Sequence, residues 1–503
     1  MTASISMPWS RLSVQSKILI VMMAVSIVSV LLIGYLGYRS GRAAIEANSF
    51  LRLDGLRQLR TDQLQTFFAD ARSKVNLMSV LSADELREFR TAYQELARTA
   101  TVTPEQEEAI QNFYVDTYLP KLADNLQSNP SVEGFLPATA VQEYLQYYYT
   151  VPNGGGSGAD IDDPGDGSAY SQVHRQRHPL LRSFVQPGED LIFIDGQSGE
   201  VIYTTDKHVD LGTNLLTGPF SGSALADAFR EARKSGDEDF TIVTDFDSYR
   251  PAYGNPAIFV ASPVFDNGQM IGVAAVRLAS QELVNLTSGD EQWQSDGLGV
   301  SGDVYLVGPD NKMRSQARGM IEHAGIYTAT LLENGVSPND VAHIERLGTT
   351  IDTLSITSKP IEAALRGETG TIQSLNYLGD PVLSSFAPLQ LQDLHWGIVA
   401  EITQAEALAP AQDFTQLLAV YMVCIILFVI FAGLFLTHLV TKPLRQLTAH
   451  ARQVAAGDYS GELEIGSHDE VGELANAFND MTQSLRTKQA LINDQNETLE
   501  NCC

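Results

Sequence analysis

Cysteine is scarce in this chain of 503 residues, with only Cys424, Cys502 and Cys503, and the stretch from 39 to 413 has none. That stretch must be held by packing and not by disulfides. Basic residues are scarce too. Thirty-three Lys and Arg stand against 61 Asp and Glu, a formal net charge of −28. A phosphate backbone calls for the opposite balance, so nucleic acid is excluded as a partner. Catalytic signatures are missing: there is no G-x-S-x-G elbow, no H-E-x-x-H pair and no Gly-Lys-Ser/Thr phosphate loop. A phosphoacceptor histidine box, a GGDEF motif and a class III cyclase metal-binding core are also lacking. No enzyme activity, cofactor or metal is expected. The pair His174 and His178 in "HRQRH" reads as packing or surface histidines, and the glycine-rich "NGGGSGADIDDPGDGS" (153–168) misses the EF-hand spacing and reads as a flexible surface loop.

Charge is absent from two long apolar runs, Ile18 to Tyr38 and Leu417 to Leu436. Each has about 20 residues, enough to cross a bilayer as a helix. Arg11 and Lys17 precede the first; Lys442, Arg445 and Arg452 follow the second, while Glu401, Glu406 and Asp413 come before it. The positive-inside rule then places 1–17 in the cytoplasm, 18–38 and 415–437 in the membrane, 39–413 outside and the C-terminus inside. The expected location is a bacterial inner membrane, crossed twice, with a large periplasmic part.

Beyond the second run, Leu444, Leu447, Ala451 and Val454 step by three and four, as do Val471, Leu474, Phe478, Met481 and Leu485. Both are coiled-coil seams. Pro443 suits a first helical turn, Gly457 a helix end, and Asp469 or Ser467 the cap of the second helix. One chain cannot bury two such seams, which predicts a homodimer with four parallel helices. The Pro, the "AAGD" turn and "DEVGELANAFNDM" resemble the HAMP domain over 438–489. The resemblance implies a relay between a membrane helix and an output coiled coil, with Pro443, Leu444, Leu447, Val454, Val471, Leu474, Phe478, Met481 and Leu485 as relay residues. His450 falls within the first of these helices. The tail 484–503 continues the heptads through Ile492 and Leu499, with polar Lys488 and Gln495 on the seam. It reads as a signalling helix cut before its output.

The exported stretch begins with helical spacing over 41–130, then changes to short strands with turns: "DLIFIDGQSGEVIYTTD", "AIFVASPVFDNGQMIGVAAVRL", "DVYLVGPDNKMRSQ", "GTIQSLNYLGDPVLSSFAPL" and "WGIVAEI". Two similar sheet-plus-helix units follow, about 170–280 and 300–404, an internal repeat. The layout resembles the double Cache sensors. The expected fold class is therefore α+β: a long stalk helix, tandem PAS-like antiparallel-sheet modules, two transmembrane helices and a HAMP coiled coil. "SAYSQVHRQRHPLLRSF", "VDLGTNLLTGPF" and "SYRPAYGNPAIFVASPVFDNGQMIGVAAVRL" resemble a branch with nucleotide cyclase or chemoreceptor outputs, and the tail resembles its adenylate/guanylate cyclase members.

The resemblance places a small-molecule site in the distal unit, near Tyr203, Asp206, Tyr249, Arg250, Tyr253 and Ser262. Amino-acid-binding members carry an Asp where this chain has Arg277. An Arg there would favour a carboxylate or other anion over an ammonium, so the expected ligand is small and anionic or neutral. In the proximal unit Tyr305, Arg314 and Tyr377 are candidates for a second cavity.

Overall fold

The computed structural model describes residues 14–128, 130–154, 156–436, 438, 442–464, 466 and 469–500; Ser467, Cys502 and Cys503 lie outside them. The chain forms two compact units, Met1–Ile45 with Ala409–Cys503, and Glu46–Leu408.

The larger unit opens on the C-terminal part of α1 (Val14–Leu81), followed after a single-residue break by α2 (Ala83–Thr99). Leu53, Leu56, Leu64, Phe68, Ala71, Val75 and Met78 make one buried stripe along α1, and Leu86, Phe89, Tyr93 and Leu96 continue it along α2. The gap in the stripe between Leu56 and Leu64 holds two buried arginines. Arg57 Nε donates to Ser385 Oγ at 2.9 Å, and Arg60 is paired with Asp296. Helix α3 (Pro104–Phe113) starts on a capping box in which Thr103 Oγ1 accepts from Gln106 N–H and Gln106 Oε1 accepts from Thr103 N–H at 2.9 Å. The short helix α5 (Ala140–Leu145) and the longer α6 (Ala169–Ser183) pack with α1 and α2 on one face of the first sheet, and α4 (Leu119–Leu126) packs on the other.

That sheet comprises β1 (Asp190–Asp195), β2 (Val201–Thr204), β3 (Ile242–Val243), β6 (Phe259–Asp266) and β7 (Gln269–Arg277), wholly antiparallel in the order β2-β1-β7-β6-β3. A separate ribbon pairs β4 (Asp247–Tyr249) with β5 (Asn255–Ala257). Alternation along β1 sends Leu191 and Phe193 toward α1 and α2, and Ile192 and Ile194 to the other face, covered by α7 (Ala224–Lys234). The β6–β7 turn is Asn267-Gly268, both at positive φ, as a tight hairpin requires. Gly272 is required for closeness: a Cβ there would stand 2.6 Å from the Ile194 carbonyl oxygen.

Helix α8 (Ser280–Ser288) leads to the second sheet, β8 (Asp303–Val307), β9 (Gly370–Leu375), β10 (Pro381–Gln390) and β11 (His395–Thr403), in the order β8-β11-β10-β9. Tyr305, Val307, Phe386 and Val399 face α9 (Arg318–Glu333), α10 (Pro338–Leu347) and α11 (Lys359–Leu365). Leu383, Ala387, Ile398, Ala400 and Ile402 face the other way and join the core that holds Leu191, Phe193 and the α1 stripe. A single apolar core therefore runs along the stalk through both sheets, the architecture that the double Cache resemblance implies.

The glycine-rich segment corrects the expectation of a free loop. Ser157 Oγ donates to Asp206 Oδ1 (2.7 Å), Gly158 N–H to the Asp206 carbonyl (2.7 Å) and Tyr144 OH to Asp166 Oδ2 (2.7 Å). His174 and His178 are buried beneath it, against the Asp162 and Ala159 carbonyls at 2.8 Å.

The smaller unit contains α13 (Ala409–Leu436), which follows β11 after the short α12 (Gln404–Ala407), and the helices α14 (Lys442–Ala455) and α15 (Glu470–Glu500). Among the described residues two helices are long and apolar enough to cross a membrane, the N-terminal part of α1 and α13. Gly34, Gly37 and Gly41 lie on one side of α1. A Cβ at Gly34 would run into Met422 of α13 and one at Gly41 would crowd Phe414, whereas one at Gly37 would make only an ordinary contact with Leu418, so Gly34 above all lets the two helices approach closely.

Candidate ligand site and relay segment

In the distal module, β1 begins at Asp190, whose Cα partner on β7 is Arg277. The chain leaves β2 through Thr205-Asp206-Lys207-His208-Val209-Asp210, every residue of which is buried. Asp190 Oδ1 accepts the N–H groups of Thr205 and Asp206 at 2.8 and 3.0 Å. Asp206 Oδ2 accepts from Arg277 Nη2 at 2.5 Å. Tyr249, the last residue of β4, donates its hydroxyl to Asp210 Oδ2. Behind Asp210, Tyr114 OH donates to Gln146 Oε1 (2.8 Å) and Gln146 Nε2 to the Val209 carbonyl (3.0 Å), both residues in wide π-type turns.

Three buried carboxylates thus share one neighbourhood with Arg277, His208 and Lys207. Burial raises Asp190 and Asp210 above the usual carboxylate range, with Asp206 adding to the rise at Asp190. Burial pushes Asp206 up as well, but the His208 hydrogen bond and Arg277 outweigh it and hold its carboxyl low. Lys207 is buried, its Nζ 3.0 Å from the Thr205 carbonyl and 3.3 Å from His178 Nε2, and desolvation lowers it to about 7. Three polar atoms in this group are buried without a hydrogen-bond partner: Asp190 Oδ2, Asp210 Oδ1 and Arg277 Nε. Buried polar atoms are nearly always paired, and those that are not call for an explanation.

The residues expected at the site divide. Asp206, Arg277 and Tyr249 are brought together around Asp190 and Asp210. Arg250 is exposed on the outer side and, with Ser223, Asp247 and Ser248, lines a recess of about 480 Å³. Tyr253 stands 5.5 Å from the Tyr118 ring, with Lys121 Nζ over its face. Tyr203 and Ser262 point the other way, toward the stalk: the Tyr203 ring packs at a tilt against Phe89, its hydroxyl meets His178 Nδ1 at 2.7 Å, and Ser262 Oγ meets Ser79 Oγ at 3.0 Å. The expectation of an anion rested on Arg277, and that premise is corrected, because Asp206 already meets its charge. Asp190, Asp210 and Lys207 escaped the sequence reading. An Asp at the mouth of an apolar run, "DLIFI", is the signal that could have found the first.

In the proximal module Tyr305 OH donates to Glu401 Oε2 (2.9 Å), the Tyr305 and Tyr377 rings meet edge to face at 5.6 Å, and Tyr377 OH lies 3.0 Å from Tyr327 OH. Arg314 is not with them. It sits beyond the sheet edge, between Asp245, Asp310 and Asp352.

In the relay segment Asp469 Oδ1 accepts from the N–H groups of Val471 and Gly472 and caps α15, and Gly457, at φ 93°, follows α14. Asn479 ties down the connector by exchanging two 3.0 Å hydrogen bonds with the Leu463 backbone. The residues that α15 buries are small, Gly472, Ala475 and Thr482, whereas Leu474 and Met481 are 51% and 47% exposed and Leu485 is also open. On α14, Val454 is buried and Leu444 and Leu447 are half-buried.

Residues 435–487 match the HAMP domain family, and this segment is a HAMP domain. The sensor histidine kinase WalK of Bacillus subtilis is 34% identical over 67 residues, 13% of this chain and 11% of that protein. The methyl-accepting chemotaxis protein McpA of the same organism is 23% identical over 253 residues, 50% of this chain and 32% of that one. The chain thus spans a third or less of the length of these relatives. Among solved structures, the ligand-binding domain of the Pseudomonas fluorescens chemoreceptor CtaA in complex with L-isoleucine is 14% identical. It covers 73% of this chain and 98% of its own, with a TM-score of 0.33.

Proposed function

We propose that this chain is the input and relay part of a transmembrane receptor. Its exported double-sheet unit senses a small molecule, and its HAMP domain carries the signal to a cytoplasmic output. One observation carries the reading. The last strand of the proximal sheet, β11, runs through α12 into the apolar α13, and the HAMP domain begins where α13 ends. A displacement of that strand has a covalent path through the bilayer. The signal is a ligand-biased equilibrium between two packings, with amplitude set by the ligand's differential affinity.

The working unit is a homodimer. The large apolar residues of α15 face outward while its small ones face α14, so a second copy of the seam is the partner that covers Leu474, Met481 and Leu485. In membranes carrying single cysteines on a background without Cys424, Cys502 and Cys503, Leu474, Phe478 and Met481 substitutions are expected to crosslink. Substitutions at Glu473 and Asp480, off the seam, are expected not to. Uniform crosslinking along the helix would remove the dimeric bundle.

The ligand carries at least one hydrogen-bond donor, an ammonium or a hydroxyl. Asp190 Oδ2 and Asp210 Oδ1 are the acceptors left over, and Asp206 already answers Arg277. Thermal-shift screening of the full chain in nanodiscs, against amino acids, amines and carboxylates, tests this. Stabilising hits are expected among amines and amino acids and are expected to weaken at least tenfold in Asp210→Asn, the scale of about 1.4 kcal/mol or more for a lost charge-assisted bond. Hits confined to simple carboxylates would overturn the donor requirement. The output reached through α15 is a cytoplasmic domain or partner; a nucleotide cyclase is the type that the tail resembles.

A further inference from the structure

The segment Thr241–Arg250 touches both ends of the exported unit. Its C-terminal half belongs to the candidate site: Tyr249 donates to Asp210, and Asp247, Ser248 and Arg250 line the outer recess. Its N-terminal half is fastened to the proximal module. Asp245 Oδ1 accepts from Arg314 Nε at 2.7 Å, Asp245 Oδ2 from Arg314 Nη2 at 3.0 Å, and Asp245 Oδ1 also from Trp396 Nε1 at 3.0 Å. The Phe246 ring stacks on the Trp396 indole, with centroids 6.0 Å apart and planes 13° from parallel. Val243 N–H donates to Asp393 Oδ2 at 3.0 Å. Arg72 of the stalk bridges the same two pieces, donating to the Thr241 carbonyl at 2.9 Å and pairing with Asp393.

We infer that this segment is the coupler between ligand site and proximal module, with Asp245 as its positioning residue. Three residues separate Asp245 from Tyr249, and β4 (Asp247–Tyr249) makes up the last part of the connection. Four residue steps reach about 14 Å at most, so little slack lies between the two fastened side chains. A change at Asp210 that pulls or releases Tyr249 must therefore be taken up at Asp245. There it meets Arg314, at the end of the β8 hairpin, and Trp396, on β11. Strand β11 is the one that runs on toward α13. The coupler acts through charged and aromatic groups with fixed directions, Arg314 through two parallel N–H···O bonds, and such a clamp has one good geometry instead of a range.

Asp245 can be altered without stranding a buried charge. Arg314 is almost wholly buried, but Asp310 at 3.0 Å and Asp352 at 3.6 Å still flank it when Asp245 is gone. Asp245→Asn is thus expected to fold. The test is hydrogen exchange on the full chain in nanodiscs, comparing wild type, Asp245→Asn and Arg314→Lys, with Asp239→Asn as a control in the same loop. Amides of the β4–β5 ribbon (247–257) and of β8 (303–307) are expected to exchange at least about threefold faster in both coupler variants, as contacting residues with shared partners do. The control is expected to match wild type. Faster exchange confined to residues 243–246 would overturn the inference, because a merely local bond would do no more. A second arm reads HAMP seam crosslinking at Met481→Cys and rests on the receptor reading above; its yield is expected to change in Asp245→Asn. An unchanged seam beside transmitted exchange would count against the receptor reading and leave the coupler standing.

Discussion

Trp396→Ala is expected to lower the stability of the exported unit by about 3–5 kcal/mol, the range for an aromatic side chain lost from a packed core. Trp396 is 1% exposed. Its indole lies edge-on to Phe68 of the stalk at 5.7 Å and face-on to Phe246 of the distal module, and its N–H reaches Asp245. Stalk, distal module and proximal module all lose a neighbour at once, so the cavity has no single element free to collapse into it. Trp396→Phe keeps most of the ring contact and removes one hydrogen bond to a carboxylate that Arg314 still holds, with an expected cost of about 1 kcal/mol. Urea unfolding of the full chain in nanodiscs should show both as lower midpoints at unchanged slope. A cost below 1 kcal/mol for the alanine variant would mean that the modules do not share the core through this residue.

The parts legible in the sequence are those set by periodicity. The α1 stripe, the alternating strands, the Asn267-Gly268 turn and the capped α15 all follow local rules that hold wherever the chain goes. Arg57 and Arg60 break the α1 stripe at the core face, and only the fold brings Ser385 and Asp296 to them. The same applies to the site. Tyr249, Asp206 and Arg277 were named from a resemblance, but their meaning depends on Asp190 and Asp210, which approach them across strands. The resemblance puts Tyr203 and Ser262 near the pocket as well, yet both turn to the stalk. A strand has two faces, and a register known only approximately leaves open which residues turn to the stalk. The glycine-rich segment misled for a related reason. Its composition describes the freedom of the isolated chain, whereas His174, His178 and Asp206 supply the bonds that remove it.

The proximal module carries the second large expectation, a stability that falls as pH rises. Burial raises Glu401 to about 8, against lowering by hydrogen bonds from Tyr305 and Asn376, and burial raises Asp303 to about 7. Neither ion-pairs with a cation among the described residues. Asp303 accepts only the N–H groups of Val304 and Arg318, at 2.8 and 3.1 Å, and Glu401 accepts the Tyr305 hydroxyl. A carboxyl whose pKa is higher in the folded state binds its proton more tightly there. Its contribution is therefore complete below the unfolded value, near 4–4.5, and is lost as pH climbs through 7 and 8. Each such group costs up to about 1.4 kcal/mol per pH unit within that window. Glutamine is the neutral shape of a protonated glutamate and still accepts from Tyr305. Glu401→Gln is thus expected to leave the melting temperature unchanged at pH 5 and raise it by about 2–4 °C or more at pH 8, since 1 kcal/mol moves a domain of this size by that much. Melts at pH 5, 6, 7 and 8 on wild type and variant decide it. Parallel curves would mean that Glu401 is ionised in the native state and has a counter-charge. Converging curves at low pH would mean that its proton is part of the fold, and that a rise in pH outside the cell loosens β11, the strand that leads to the membrane.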